Sequence, residues 1–431
     1  MTVKRWETRP LECWDKAKEM RRNWDKSVVD AESKHELIAQ GNPPWPMGFP
    51  AIRVISDNPL GSMIAFRSDK FARECRVACE VRGWGREMCG YKLNRFGSMY
   101  RDLDIGGGKF PKQDLIIPLP APCDLHTKRG QAAMDFTKAP RWQADAPMHT
   151  DTPDPERDGA MAENSIGNIL DQIEDIERIT GQKFDDERLI ETLKSMWIYK
   201  SLAGEVCCLM QNVPSPLGQK DLYSFYTLGG LVKSDPAETK ALWTMIRDEV
   251  KWRAEHQIAA VATERFRWVE SMPPPWHFLK YYRYMEKYGA VCIGSSYSHS
   301  IGGPYEWRDG IYVSQKTPLE LGWPLNTRED AIRALTLSGR APGRTDDLRT
   351  QGITDMAKAF KVDGAILPLW RGGVGCVYGH REEGLALSAM GVNVMYYEGS
   401  QPGDRTDMDE NRMLDQLDVW MESEGLRKLE D

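Results

Sequence analysis

Three features of the chain predict an α/β protein built on parallel sheets. Short apolar runs such as Ala51-Ile52-Arg53-Val54-Ile55 and Asp114-Leu115-Ile116-Ile117-Pro118-Leu119 alternate with polar turns and helix-patterned segments through the first 150 residues. The same alternation resumes after residue 276, with Ala290-Val291-Cys292-Ile293 and Gly364-Ala365-Ile366-Leu367-Pro368-Leu369 as strand candidates. Between the two lies a long stretch of helical periodicity. Repeated β-turn-α units favour a parallel sheet covered by helices.

Residues 11–40 are charged and lightly apolar and predict an N-terminal helix, stopped by Gly41-Asn42-Pro43-Pro44-Trp45-Pro46. Residues 51–55 then form the first strand, and Asp57-Asn58-Pro59-Leu60-Gly61-Ser62 a turn. A helix over residues 66–82 follows, with Phe66, Ala72, Val77 and Ala78 among its apolar positions. Beyond Cys89, residues 91–100 are helical in pattern, residues 114–119 resemble a buried parallel strand, and Cys123-Asp124 opens a polar helix.

Asp151-Thr152-Pro153-Asp154-Pro155-Glu156 reads as a linker. Residues 164–211 and 235–269 carry long helical patterns, with Ile176/Ile179 and Leu189/Leu193 as apolar pairs. Met272-Pro273-Pro274-Pro275-Trp276 breaks the second of these. A helix end at 284–289, the strand at 290–293 and a Ser/Gly-rich loop at 294–303 come next. Helices at 331–337 and 353–360 precede the strand at 364–369, a loop carrying Cys376, a helix at 382–390, a strand at 392–397 and a helix from Asp409. The expected organisation is two Rossmann/flavodoxin-like parallel-sheet domains around a helical middle. Residues 1–150 carry Cys89 and Cys123, residues 151–275 are mainly helical, and residues 276–431 carry Cys376.

The chain has 431 residues, 41% of them hydrophobic, enough for two or three domain cores. Its net charge of −7 gives no electrostatic footprint for nucleic acid. No apolar stretch follows Met1, and no run approaches the roughly 18 apolar residues that span a bilayer, so a cytoplasmic protein without membrane segments is expected.

The nine cysteines are an odd count in a chain expected to sit in a reducing compartment, so a disulfide framework is disfavoured. Cys89, Cys123 and Cys376 each stand beside a turn between a β-like run and a helix-like run. Loops at the carboxyl ends of parallel strands are where ligands of such sheets bind. That placement suits three thiolates on one metal centre, with a fourth position left for chemistry. The glycines 372, 373, 375 and 379 let the backbone near Cys376 approach a bulky ligand. Each cysteine alone reads equally as a small buried hydrophobe. No Cys-x-x-Cys occurs, which removes zinc ribbons and ferredoxin-type clusters. Cys75 and Cys79 share a helix face and read as core, and Cys207-Cys208 as structural.

Asp104-Ile105-Gly106-Gly107-Gly108-Lys109-Phe110 lacks the spacing of a phosphate loop, and no Gly-x-Gly-x-x-Gly opens a helix, so ATP and NAD binding by this chain are disfavoured. His299 and His380, in Gly/Ser-rich loops, are candidate proton donors or thioester contacts. Asn58 and Ser62 are candidate substrate contacts in the first strand–helix turn. Each of these four also reads as an ordinary loop residue.

Met88-Cys89-Gly90-Tyr91 and the segment from Asp114 to Pro118 running into Cys123-Asp124 resemble the benzoyl-CoA reductase / 2-hydroxyacyl-CoA dehydratase family. So do Asp363-Gly364, Arg371 with Cys376, Gly391-Val392-Asn393-Val394 and Tyr397-Glu398-Gly399. The resemblance covers both outer thirds and is greatest to the larger, B-type cluster subunit of ATP-dependent benzoyl-CoA reductases. The third motif departs from the family's frequent Arg-x-Cys or Ser-Cys, reading Arg371-Gly372-Gly373-Val374-Gly375-Cys376. The resemblance implies one [4Fe–4S] cluster per chain with an open iron site, held by Cys89, Cys123 and Cys376. It implies a homologous second cluster-bearing subunit, ATP-hydrolysing activator subunits with their own cluster, and an aromatic acyl-CoA substrate reduced to a cyclic dienoyl-CoA. A 2-hydroxyacyl-CoA dehydratase subunit is the alternative within the family. A non-catalytic scaffold subunit is the alternative outside it, and a zinc hydrolase is disfavoured by the thiol-only ligand set.

Overall fold

The computed structural model describes residues 4–34, 36–41, 44–55, 57–85, 88–117, 124–142, 154–226, 228, 236–271, 274–298, 305–338, 346–371, 379–400 and 409–430. The first part contains α1 (Trp14–Ser33), β1 (Leu37–Gly41), β2 (Ile52–Ile55), α2 (Asp57–Arg67), α3 (Asp69–Glu80), α4 (Gly90–Arg101), β3 (Leu115–Ile117) and α5 (Asp124–Thr137). Four helices follow: α6 (Pro155–Thr180), α7 (Asp186–Leu209), α8 (Gln219–Tyr226) and α9 (Pro236–Glu255). The last part runs β4 (Phe266–Glu270), α10 (Lys280–Glu286), β5 (Ala290–Ser295), β6 (Tyr305–Arg308), β7 (Ile311–Ser314), α11 (Arg328–Ser338) and α12 (Asp346–Ala359). It closes with β8 (Gly364–Arg371), α13 (His380–Ala389), β9 (Asn393–Ser400) and α14 (Glu410–Ser423).

Two sheets are parallel throughout, in the orders β2-β1-β3 and β5-β4-β8-β9. In both, the first strand in the chain is central, the second pairs on one side and the third on the other. Each sheet therefore reverses direction between its first and third strands, and the carboxyl ends at that point form the usual ligand crevice of open α/β sheets. This is the Rossmann/flavodoxin-like architecture expected from the sequence.

The two sheets also share a locking device. Asp114, before β3, accepts the Ile38 N–H of β1 on Oδ2 and donates its own N–H to the Ile38 carbonyl, both at 2.8 Å. Asp363, before β8, does the same to Arg267 of β4, again at 2.8 Å for both bonds. A carboxylate satisfies a main-chain N–H that would otherwise lie unpaired at the start of a buried strand.

Several elements depart from the sequence reading. The N-terminal helix stops at Ser33, and residues 37–41, expected inside it, form the central strand of the first sheet. A five-residue apolar run beside charged residues carries too little periodicity to separate the two states. The expected turn at 57–62 is the first half of α2, where Pro59 occupies a position whose N–H needs no helical partner. The helix expected over 66–82 is broken at Ser68, whose Oγ accepts the Phe71 N–H at 3.2 Å and caps α3; Phe66 and Val77 are exposed rather than core.

The acidic Pro-rich stretch at 151–156 ends in a helix start. Asp154 accepts the N–H groups of Glu156 and Arg157 at 3.1 Å, and Pro155 begins α6. Residues 266–269, expected as helix, belong to β4, which is buried on both faces and so shows no alternation. Of the helical pair Ile176/Ile179, only the first is buried. The antiparallel hairpin β6–β7 was not expected. Its turn, Asp309-Gly310, has positive φ at both residues, 51° and 88°.

One core cluster runs from β1 through α6, α7 and α9 to β5 and β8, including Ile38, Ile173, Trp197, Ile246, Ile293 and Leu367. The middle helices thus pack onto both sheets. No described helix is long and apolar enough to cross a membrane.

Candidate functional site

Every residue of α4 from Gly90 to Met99 is buried. Two glycines permit it: a Cβ on Gly61 would stand 2.6 Å from the Tyr91 carbonyl oxygen, and one on Gly97 2.0 Å from that of Cys75. Without them neither α2 nor α3 could approach so closely.

Cys89 is the N-cap residue of this helix and 4% exposed. Its carbonyl accepts the N–H groups of Lys92 and Leu93 at 2.9 and 3.1 Å. The residue lies in the connection between α3 and α4, so it is not at a strand exit as the sequence suggested. A sulfur there faces the positive end of the α4 dipole, a favourable place for an anionic metal ligand. The surrounding core cluster joins α2 and α4 to the second sheet: it unites Cys89 and Tyr91 with Trp276, Trp370 at the carboxyl end of β8, and Tyr397 of β9. Trp370 and Tyr397 meet edge to face with ring centroids 5.1 Å apart, and Trp276 donates its indole N–H to the Tyr91 hydroxyl. Cys89 therefore shares a buried cluster with Trp370, next to the end of β8.

Cys123 and Cys376 lie outside the described residues, as does His299. α5 starts at Asp124, directly after the first, and Cys376 falls between β8 and α13. Asn58 and Ser62 sit on α2 rather than in a turn, with side chains outside the described set. His380 opens α13, fully buried, and its Nδ1 lies 2.8 Å from Glu383 Oε2. Among the described residues no three His, Cys, Asp or Glu side chains gather as a metal site; the expected trio has two members beyond them.

Of the three expected ligands only Cys89 is described: a soft thiol donor, buried among aromatic side chains at a helix N-terminus, surroundings that suit an iron–sulfur ligand. Burial pushes the thiols of Cys75 up to about 11 and of Cys79 and Cys208 up to about 12, and raises those of Cys13, Cys207 and Cys292 as well. Cys79 donates to the Leu93 carbonyl at 3.3 Å, as a core residue.

Sequence reasoning missed Glu270, the last residue of β4, which is 2% exposed. Tyr281 and Tyr282 donate to its two oxygens at 2.6 and 2.5 Å. Burial outweighs these bonds and lifts its carboxyl to about 7. The adjacent Tyr281-Tyr282 pair was the signal available, but only folding aims both hydroxyls at one carboxylate.

Residues 72–423 match the model of the family described as 2-hydroxyglutaryl-CoA dehydratase, D-component. The chain belongs to this family. The matched span takes in Cys89, Cys123 and Cys376 together with the switch-point edge of the second sheet, and it includes Glu270 and His380. The matched span thus covers the second sheet, β3 of the first and the middle helices, while β1 and β2 precede it. No curated protein matches the chain significantly.

Proposed function

We propose that the chain is the cluster-bearing subunit of an ATP-dependent benzoyl-CoA reductase, which reduces the aromatic ring of benzoyl-CoA to a cyclic dienoyl-CoA. The aromatic shell around Cys89 supports this reading: Tyr91, Trp276, Trp370 and Tyr397 supply flat apolar walls at the carboxyl edge of the second sheet, suited to an aromatic acyl group. Cys89, Cys123 and Cys376 would hold a [4Fe–4S] cluster. When bound, that cluster supplies one-electron transfer at a potential lowered by its dry surroundings.

The chain's own part is to exclude water, orient the thioester and manage protons. The tryptophan and tyrosine walls keep the dielectric low, and the helix dipole of α4 meets the thiolate. His380, His299, Asn58 and Ser62 are the further candidates for polar contact with the ligand. Electrons come from an ATP-hydrolysing activator with its own cluster, and a homologous second subunit completes the acyl-CoA pocket, in the cytoplasm. The division into segments 1–150, 151–275 and 276–431 is kept as part of this reading.

The second reading, a 2-hydroxyacyl-CoA dehydratase subunit, is favoured by the family description. It needs only a catalytic amount of electrons, because elimination of water changes no net oxidation state. Reductant and ATP consumed per product on the anaerobically purified complex decide between them. Stoichiometric consumption with benzoyl-CoA supports the reductase; catalytic amounts with a 2-hydroxyacyl-CoA support the dehydratase. Iron analysis tests the cluster directly. About four iron per chain, lost in Cys89→Ser, Cys123→Ser and Cys376→Ser but kept in Cys79→Ala, is the expected result. Wild-type chain without iron or sulfide would instead point to a scaffold subunit.

A further inference from the structure

A groove of about 470 Å³ opens between the end of α4 and the second half of α5. Trp84, from the connection before α4, and Tyr100 line it together with Lys128, Gln131, Asp135 and Phe136 of α5. Its volume is that of a small-molecule site. The three rings hold one another. Trp84 donates its indole N–H to the Tyr100 hydroxyl at 3.1 Å, and Tyr100 meets Phe136 edge to face with centroids 5.6 Å apart. Phe136 is nevertheless 40% exposed, a flat apolar surface open to solvent. Arg82 lays its guanidinium over the Tyr100 ring, 4.5 Å from the centroid.

The polar groups of the groove come from one face of α5, at the spacing i, i+3, i+7 of Lys128, Gln131 and Asp135. No side-chain hydrogen bond or ion pair joins any of the three to a described residue. At 1.5 Å per residue, the cation and the carboxylate of this stripe stand about 10 Å apart along the helix. An adenosine 5′-phosphate has that length, with its phosphate at one end and its purine amino group at the other. A carboxamide pairs with the amino edge of adenine, and an exposed aromatic ring stacks on its face. A carboxylate accepts from the same amino group, while an ammonium and a guanidinium meet phosphates.

The groove also adjoins the segments that carry two of the expected metal ligands. Trp84 precedes Cys89 by five residues, and Lys128 stands one turn into α5, which starts directly after Cys123. Five residues span at most about 17 Å, a distance that an extended pantetheine arm covers.

We propose that this groove binds the adenosine-phosphate end of the acyl-CoA ligand. Phe136 stacks on the adenine, Gln131 and Asp135 take its amino edge, and Lys128 and Arg82 take the phosphates. The pantetheine arm leaves from the Lys128 end and carries the thioester toward Cys89. This site rests on the acyl-CoA reading above, and serves the reductase and the dehydratase alike. Side chains rather than a glycine-rich turn meet the phosphates, so no phosphate loop is needed.

The test is calorimetric titration of free CoA into the full-length chain, purified anaerobically, as wild type, Phe136→Ala and Lys128→Glu. Ile179→Ala, an exposed apolar position on α6, is the control. Phe136→Ala and Lys128→Glu are each expected to raise the Kd of CoA about tenfold, and Ile179→Ala to leave it unchanged. Adenosine 3′,5′-bisphosphate is expected to displace CoA from wild type, and pantetheine to leave it bound. If Phe136→Ala does not fold, Lys128→Glu carries the test, since that side chain is exposed. An unchanged Kd in either folded variant, or an equal rise in Ile179→Ala, overturns the site. ATP bound more tightly than adenosine 3′,5′-bisphosphate overturns the assignment to CoA. Turnover of acyl-CoA by the complete complex separates the two levels. A chain that binds no CoA within a complex that converts acyl-CoA loses this site alone; a complex that converts none loses the acyl-CoA reading and the site together.

Discussion

Trp276 donates its indole N–H to the Tyr91 hydroxyl, and this bond fastens the helix that Cys89 begins to the segment that follows β4. Both partners are buried in the aromatic cluster that contains Cys89. The bond is thus a tie between α4 and the second sheet beside Cys89, one of the expected metal ligands. Tyr91→Phe keeps the ring and strands the indole N–H, a loss of ~1–3 kcal/mol for a buried donor left unsatisfied. Urea unfolding of the purified chain is expected to show a lower midpoint, with unchanged slope; an unaltered midpoint would mean the bond contributes nothing.

Gly97 provides a second check on how α4 is seated. Its Cβ would stand 2.0 Å from the backbone carbonyl of Cys75, and a backbone atom cannot swing aside as a side-chain tip can. Gly97→Ala is expected to cost ~1–3 kcal/mol or more by pushing α3 away. Gly159, inside α6 with open space around it, is the control: Gly159→Ala is expected to stabilise by ~0.5–1 kcal/mol. Thermal unfolding of the pair reads the difference, and equal shifts of the same sign would contradict the close packing.

The two locking aspartates predict matched effects in the two halves. Asp114→Ala and Asp363→Ala each leave a strand N–H, of Ile38 or of Arg267, without its carboxylate at 2.8 Å. A destabilisation of ~1.5–3 kcal/mol is expected for each, as for hydrogen bonds to charged groups. Hydrogen exchange at Ile38 and Arg267 should speed up in the respective variant alone. Exchange unchanged at both amides would argue against the device.

Stability should also report on Glu270. Its carboxyl is raised by burial to about 7 from an ordinary 4.5, so the folded chain holds a proton that the unfolded chain has already released. The stabilising contribution of this neutral form is complete below about pH 4.5 and is lost as pH rises through about 7. Over that window the loss amounts to ~3 kcal/mol. Glu270→Gln cannot ionise and is expected to flatten the decline between pH 5 and 8. A decline as steep as that of wild type would show that another group titrates there.

Much of the fold was legible because parallel strands buried on both faces announce themselves as short apolar runs. The runs 114–119, 290–293 and 364–369 were read as strands that way and coincide with β3 and most of β5 and β8, and the helices after them carried ordinary 3.6-residue periods. Residues 37–41 and 266–270 escaped for a common reason: each is the central strand of its sheet, only five residues long, and flanked by helix-forming sequence. Their state was decided by neighbours distant in the chain. Hairpin β6–β7 was readable, since Asp309-Gly310 is a strong two-residue turn signal.

By itself the sequence determined the α/β class and the family motifs around Cys89, Cys123 and Cys376. Those properties depend on residue type and on spacing along the chain. Only the tertiary structure decided that Cys89 caps a helix sealed by Gly61 and Gly97 and shares a cluster with Trp370 from residues far beyond it. Only it brought Tyr281 and Tyr282 to Glu270, and Tyr223 to Ser295. The energy of a buried carboxyl or a helix contact is set by what packs against it, and parallel sheets draw those partners from strands joined by long crossovers.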